Sequence, residues 1–271
     1  PLHYAHNLYL NDELVTDLVI SDDVRQINRG VFAFCNNLKS ITIGNKVTNI
    51  EKDAFWGCKN LSKVHIPNIA LWCNIKFSNE YSNPLCYAND LYLNDELVTD
   101  LIIPYGVTNI SNYTFYNCDG LTSFAMPDSV TSIGNCTFKR CYGLTNITIP
   151  NSVTNIGAST FENCSRLTNI AIPNNITSIE ERTFLDCAKI TDITIPDSVK
   201  SIGNSAFYGC ESLKSITIPD SVKRIGERAF QSCKKLKQVN ISDIALWCNI
   251  NFDGTYSNPL SWGHNLYLNN E

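Results

Sequence analysis

The sequence predicts a repeat solenoid in which short β-strands and short helical turns stack coil on coil into a parallel sheet. Three observations carry this. First, the stretch from Ile195 to Ile218, beginning Ile-Pro-Asp-Ser-Val-Lys-Ser-Ile-Gly, comes again 23 residues later from Pro219, and earlier from Pro173, Pro150, Pro127 and Pro104. Second, the apolar residues of these copies stay in phase. Third, their spacing changes within each copy, from the alternation of a strand to the threefold spacing of a turn.

With the proline taken as position 1, eight standard copies start at Ser21, Gly44, Pro104, Pro127, Pro150, Pro173, Pro196 and Pro219. Position 4 is Val or Ile, position 7 is always Ile, position 12 always Phe and position 15 always Cys. Position 18 is Leu in seven copies and Ile190 in the eighth.

Leu213-x-x-Ile216-x-Ile218 has the L-x-x-L-x-L form of a leucine-rich repeat. Its alternating end predicts a half-buried strand. The proline that follows lacks a donor and ends that strand. Val199-x-x-Ile202 predicts a second short extended segment on the far side of the coil, and Gly203 a turn. Ala206-Phe207-x-x-Cys210-x-x-Leu213 is spaced like one or two helical turns with a buried face. One coil cannot bury its own apolar side, so neighbours must stack.

A longer unit interrupts the series. Residues 67–103 are a 23-residue repeat with a 14-residue extension, containing Ile69-Ala70-Leu71-Trp72-Cys73-Asn74-Ile75 and Tyr81-Ser82-Asn83-Pro84-Leu85. Both words return at Ile244–Ile250 and Tyr256–Leu260, and the rear half matches residues 1–20. Leu91–Val98 and Leu8–Val15 predict hairpins around Asn-Asp. The expected organisation is one solenoid over residues 1–271: standard repeats at 21–66 and 104–241, a whole long unit at 67–103, and partial long units at 1–20 and 242–271. Because both ends fall inside that unit, the sequence reads as a segment of a longer protein. Some ten coils at roughly 4.8 Å each would give a rod or arc about 45–50 Å long.

The net charge is −5, so there is no broad basic surface for phosphates, and nucleic acid is set aside as a partner. No apolar run approaches the roughly 20 residues that cross a bilayer, so no membrane insertion is expected.

The words I-P-D-S-V, S-I-G, A-F-x-x-C and L-x-S-I-T-I resemble the BspA-like class of leucine-rich repeats. The Tyr-Ser-Asn-Pro-Leu…Asn-Leu-Tyr-Leu-Asn…Leu-Val-Thr-Asp-Leu stretch is similar to that family too. The resemblance covers the whole chain. It implies a protein at the cell surface or secreted, associated with adhesion to host or extracellular matrix proteins. It carries over no catalytic residue and no cofactor.

Of the twelve cysteines, Cys35, Cys58, Cys118, Cys141, Cys164, Cys187, Cys210 and Cys233 occupy position 15. The period stacks them in a buried column, where thiols act as small apolar residues. Coil spacing is within reach of a disulfide, but parallel, inward-pointing side chains argue against bridges. No C-x-x-C pair or His cluster points to metal. Cys73 and Cys248 read like the column, and Cys86 and Cys136 are singletons. His3, His6, His65 and His264 form no shared pattern, apart from His6 and His264, whose counterpart is Asn89. There is no nucleophile elbow, phosphate loop or paired carboxylate, so neither catalysis nor a metal or cofactor is expected. Asn60, Asn109, Asn112, Asn135, Asn146, Asn163, Asn175 and Asn240 open Asn-x-Ser/Thr sequons. They are equally what an Asn/Thr-rich repeat contains by composition.

Residues flanking the buried strand positions should face outward on a concave side. The candidate contact residues there are Ser40, Thr42, Ser123, Asn146, Thr148, Asn169, Asp192, Thr194, Ser215, Thr217 and Gln238. This set lacks the Trp, Tyr and Arg anchors of tight interfaces, so it suits weak, multivalent contact. The other reading is a solvated sheet. A second candidate set is aromatic: Trp56, Tyr116 and Tyr208 at position 13, with Tyr81, Tyr256 and Trp262 in the long units. These are either contacts or edge packing. Trp72 and Trp247 are expected inside. The expected function is protein-interaction adhesion without catalysis. The alternatives are a stalk that spaces other domains, and carbohydrate binding by the aromatic long units.

Overall fold

The computed structural model describes residues 7–254, 256–262 and 265–269; His3, His6 and His264 lie outside these. It is a parallel β-solenoid, and each coil has three faces. On the first, strands such as Ser40–Ile43, Lys63–Ile66 and Ser123–Ala125 pair in register with the next coil. Alternation buries Ile41, Val64 and Phe124 and turns their neighbours out. On the far side, two-residue strands such as Asn109–Ile110 and Ser132–Ile133 pair in the same way.

The third face departs from the expected helical turns. Positions 10 and 14 are left-handed in coil after coil: Tyr113 and Asn117, Cys136 and Arg140, Arg182 and Asp186. These alternations turn successive N–H groups toward the next coil, which a helix would not do. Tyr113, Phe115 and Asn117 donate to the carbonyls of Asn135, Thr137 and Lys139 at 2.8–2.9 Å. A third ladder replaces the helix. A non-glycine residue in this region costs on the order of 1–2 kcal/mol, which interstrand pairing and burial offset.

Under this ladder the Phe side chains stack. Ring centroids of Phe115, Phe138, Phe161, Phe184, Phe207 and Phe230 lie 5.3–5.7 Å apart. The position-15 cysteines are free and buried, as the period implies. They also have a polar role. In Cys58, Cys141, Cys164, Cys187, Cys210 and Cys233 the Sγ–H donates to the Phe carbonyl of the coil before, as in Cys141 to Phe115 at 3.0 Å and Cys187 to Phe161 at 3.1 Å. Cys73 is buried as expected. Cys248 is exposed, contrary to expectation. The coil from Pro104 covers Cys73, whose carbonyl accepts from Ser111 N–H, and no described coil lies over Cys248.

Where position 8 is glycine, it serves close approach of the preceding coil rather than a positive φ. A Cβ on Gly203 would sit 2.6 Å from the Glu181 nitrogen of the preceding coil.

The long unit inserts α1 (Ile69–Asn74), capped by the Asn68 side chain, a far-side strand Lys76–Phe77, and the short helix α2 (Leu85–Ala88). Both hairpins form. Asp90–Leu93 pairs with Glu96–Leu97 across Asn94 and Asp95, and Tyr9–Leu10 with Glu13–Leu14 across Asn11 and Asp12; all four turn residues have positive φ. The word repeated at Ile244 forms α3 (Ile244–Cys248), capped by Asp243. Trp72 and Trp247 pack inside, and Trp72 Nε1 donates to the Thr114 carbonyl at 3.0 Å.

The first-face sheet is discontinuous. Five strands run from Asp17–Ile20 to the hairpin strand Glu96–Leu97, three cover Asp100–Thr148, and three more run from Ser215 to Leu268. Between Thr148 and Ser215 only one bridge remains, Asn146 to Asn169.

Candidate interaction face

Strand pairing lines up the outward side chains in columns. One column joins Asp17, Ser40, Lys63 and Asp90, and its neighbour joins Val19, Thr42, His65 and Tyr92. Ser123 and Asn146 extend the first kind of column in the second sheet, with Thr148 beside Ala125 in the other. Ser215 pairs with Gln238, and Thr217 with Asn240. All eleven candidate residues of this face are exposed or half-buried. They do not form one surface. Ser40 and Thr42 belong to the first sheet, Ser123, Asn146 and Thr148 to the second, and Ser215, Thr217 and Gln238 to the third. Asn169 has its single bridge, and Asp192 and Thr194 lie on unpaired backbone.

The first sheet carries most of the charge. Ser40 donates to Asp17, and this bond, with the one from Thr16, holds the Asp17 carboxyl below its ordinary pKa. The His65 ring stacks on Tyr92 with centroids 4.8 Å apart and 14° between planes. Lys63 Nζ sits 5.6 Å over the same Tyr ring, and His65 Nδ1 lies 2.9 Å from Asp95. The candidate residues did not include this cluster. Its sequence signal was faint, because Leu91-Tyr92-Leu93 falls outside the 23-residue phase yet supplies a strand to the same sheet. Exposed apolar residues also went unpredicted. Ile102 is 77% and Tyr105 85% exposed, both beside the break after the long unit.

The aromatic set divides. Trp56 is 42% exposed and leans on Phe34 at 4.8 Å, and Tyr256 is exposed. Tyr81 and Tyr208 are half-buried. Trp262 lies in the turn Pro259–Trp262, and its side chain is outside the described part. Tyr116 is a correction. It is only 2% exposed, because the long unit folds over it and its hydroxyl meets Glu80 at 3.2 Å. Burial, then the nearby Glu80 carboxylate, pushes its pKa far up. Beside it Lys139 pairs with the largely buried Glu162 at 2.9 Å.

Among the described residues, no group of three His, Cys, Asp or Glu side chains could hold a metal ion, and no helix is long and apolar enough to cross a membrane.

The family model for the BspA type leucine rich repeat region matches residues 5–82, 88–210 and 177–252, in six copies. The chain belongs to this family. Solved structures with the same fold include a leucine-rich repeat protein of T. pallidum (26% identity, TM-score 0.51, covering 63% of this chain and 86% of that one). A leucine-rich repeat protein of Eubacterium ventriosum matches at 21% identity and TM-score 0.54 over 86% of this chain and 68% of its own. The pneumococcal vaccine antigen PcpA matches at 17% identity and TM-score 0.52 over 83% and 68%. A comparison with curated protein sequences finds no match. The BspA-type repeat thus accounts for both the standard coils and most of the long units.

Proposed function

We propose that this chain is a non-enzymatic interaction segment, displayed at a cell surface or secreted, that adheres to host or extracellular matrix proteins through its first face. The observation that carries this is the in-register columns of short polar side chains, held outward by a rigid ladder and repeated from sheet to sheet. No single column offers a deep anchor, so affinity builds by adding weak contacts along the stack. Family membership supports a repeat protein-interaction role, and the surface or secreted location rests on what BspA-type repeats imply.

The test is retention of the chain on a panel of immobilised matrix proteins, with Thr42→Glu, Thr148→Glu and Thr217→Glu made singly and together. Expected are small losses for each single change and a combined loss greater than any one, with the fold unchanged by circular dichroism. Absence of retention when the chain is presented at high density would refute the reading. So would a triple variant that binds like the parent.

A further inference from the structure

The break in the first-face sheet has a specific chemical character. In intact steps, the N–H at position 23 donates to the position-22 carbonyl of the next coil: Ile103 to Ala125 at 2.9 Å, Met126 to Thr148 at 3.3 Å and Ile218 to Asn240 at 2.9 Å. The corresponding bonds of Ile149, Ile172 and Ile195 are not made, nor is the one from Thr191 to Thr168 that would start the strand. On the far side, one step, between Asn155–Ile156 and Ser178–Ile179, is also unpaired. Meanwhile the third ladder runs through the same coils without interruption, from Phe161 to Thr183 at 2.9 Å and Phe184 to Ala206 at 2.8 Å. The coils are hinged at the Phe stack and splayed at the strands. The splay opens a cleft of about 570 Å³ lined by Asn146, Thr148, Asn169, Ala171, Asp192 and Thr194, among others.

The coil from Pro173 explains why. In the coils from Pro127, Pro150, Pro196 and Pro219 the Ser at position 3 donates to the position-4 carbonyl of the preceding coil, as Ser152 does to Val130 and Ser198 to Ile176; here Asn175 donates two residues earlier, to the Asn151 carbonyl at 2.8 Å. In the coils from Pro104, Pro127 and Pro196 the Asn at position 9 accepts from the following coil, as Asn135 does from Ala158 and Asn204 from Glu227; Ala158 and Glu181 cannot supply that amide oxygen. Position 8, where Gly157 and Gly203 allow close approach, is Glu180. Glu51 fills position 8 in an earlier coil without opening it, but its carboxylate is tied to Gln26 and to the Arg29 N–H of the coil before. Glu180 is instead bonded to Ser178 of its own coil. Asn169 and Asp192, poor strand formers, sit mid-strand.

We propose that this cleft binds an extended peptide segment of a protein partner, which takes the backbone hydrogen bonds the sheet leaves unmade. The proposal deepens the interaction reading above and rests on it. Unpaired amides and carbonyls spaced along a strand are matched by another extended backbone, the basis of strand addition. Ala, Thr and Asn on the walls let that backbone approach closely. Asp192 is the one charged residue among those lining the cleft, on a chain of net charge −5, so the segment carries Lys or Arg beside it and is otherwise uncharged.

The experiment is hydrogen exchange of the whole chain with the probe acetyl-Thr-Val-Lys-Val-Thr-amide. Controls are the same peptide N-methylated at alternate residues and one with Glu in place of Lys. In the free chain, Ile172 and Ile195 amides should exchange at least about tenfold faster than those of Met126 and Ile218. Millimolar peptide should slow them about tenfold, with no effect from the N-methylated peptide and a weaker one from the Glu peptide. Each opposite result overturns the proposal. These are amides already protected in the free chain, no protection by the peptide, equal protection by the N-methylated or Glu peptide, or protection that appears with chain concentration alone and so assigns the cleft to a second copy. Failure to bind matrix proteins with peptide protection retained would remove the adhesion reading and leave the cleft. Matrix binding without peptide protection would do the reverse.

Discussion

Removing the Phe207 ring tests the stack most directly. The side chain has no exposed surface, and its ring lies 5.3 Å from both Phe184 and Phe230, nearly parallel to each. Phe→Ala in a close-packed core costs about 3–5 kcal/mol, and two stacked partners place this site at the upper end. Phe32 provides the internal comparison. It is half-buried and has one ring neighbour, Phe55, at 5.6 Å, so Phe32→Ala should cost roughly half as much. Ser215→Ala, on the outward column, should stay within about 0.5 kcal/mol. Urea unfolding followed by far-ultraviolet circular dichroism reads all three. A stack couples each coil only to its neighbours, so exchange of amides around Cys187–Cys233 should also rise locally in Phe207→Ala. Equal losses at Phe207 and Phe32, or a Ser215→Ala loss comparable to either, would refute the assignment of position 12 to the core and position 20 to the surface.

Other outcomes follow from the same geometry. Burial raises the column thiols from an ordinary 9.0, with Cys118 and Cys233 pushed up to about 12. Because the folded pKa lies above the unfolded one, this contribution is complete below pH 9 and is lost as pH rises from about 9 toward 12, so stability should fall across that alkaline window. A maleimide at pH 7.5 should label Cys248 rapidly and the column only after denaturation, as read by intact mass. Asn83 is fully buried; its amide donates to the Tyr113 and Thr114 carbonyls at 2.6 and 3.1 Å and accepts from Leu85 N–H at 2.9 Å. Asn83→Ala should therefore cost about 2–3 kcal/mol in urea unfolding, and Asn258→Ala clearly less. Combining Glu180→Gly with Ala158→Asn and Glu181→Asn should restore the missing ties, slow exchange at Ile172 and raise the melting temperature.

The period alone placed Ile at position 7, Phe at 12, Cys at 15 and Leu at 18 in the core, because a fixed repeat can only stack like on like. The turn-face ladder was hidden. Phe207-x-x-Cys210-x-x-Leu213 has helical spacing, and Tyr113, Cys136 and Arg182 do not advertise positive φ. Their left-handed backbone is imposed by pairing with the next coil, which no local propensity records. Tyr116 was misplaced for a related reason. Position 13 faces outward in Trp56, but at Tyr116 a neighbouring long unit lies over it. The opening between the second and third sheets goes with small changes in two adjacent coils, at Ala158, Glu180 and Glu181. The outward residues could be read from alternation, but not their division among three sheets, which follows from the long unit's hairpin at Glu96–Leu97 and from the coil at Pro173.

The same coil bears on how the chain would carry a load. Tension applied along the stacking axis pulls neighbouring coils apart and meets their hydrogen bonds one after another rather than all at once. The step around Pro173 has already surrendered its bonds on the first face and is tied chiefly by the turn ladder and the Phe161–Phe184 contact. Under force this step is expected to give before its fully laddered neighbours, by hinging at the turn ladder rather than unfolding, so that the coils on either side keep their shape while the gap between them widens.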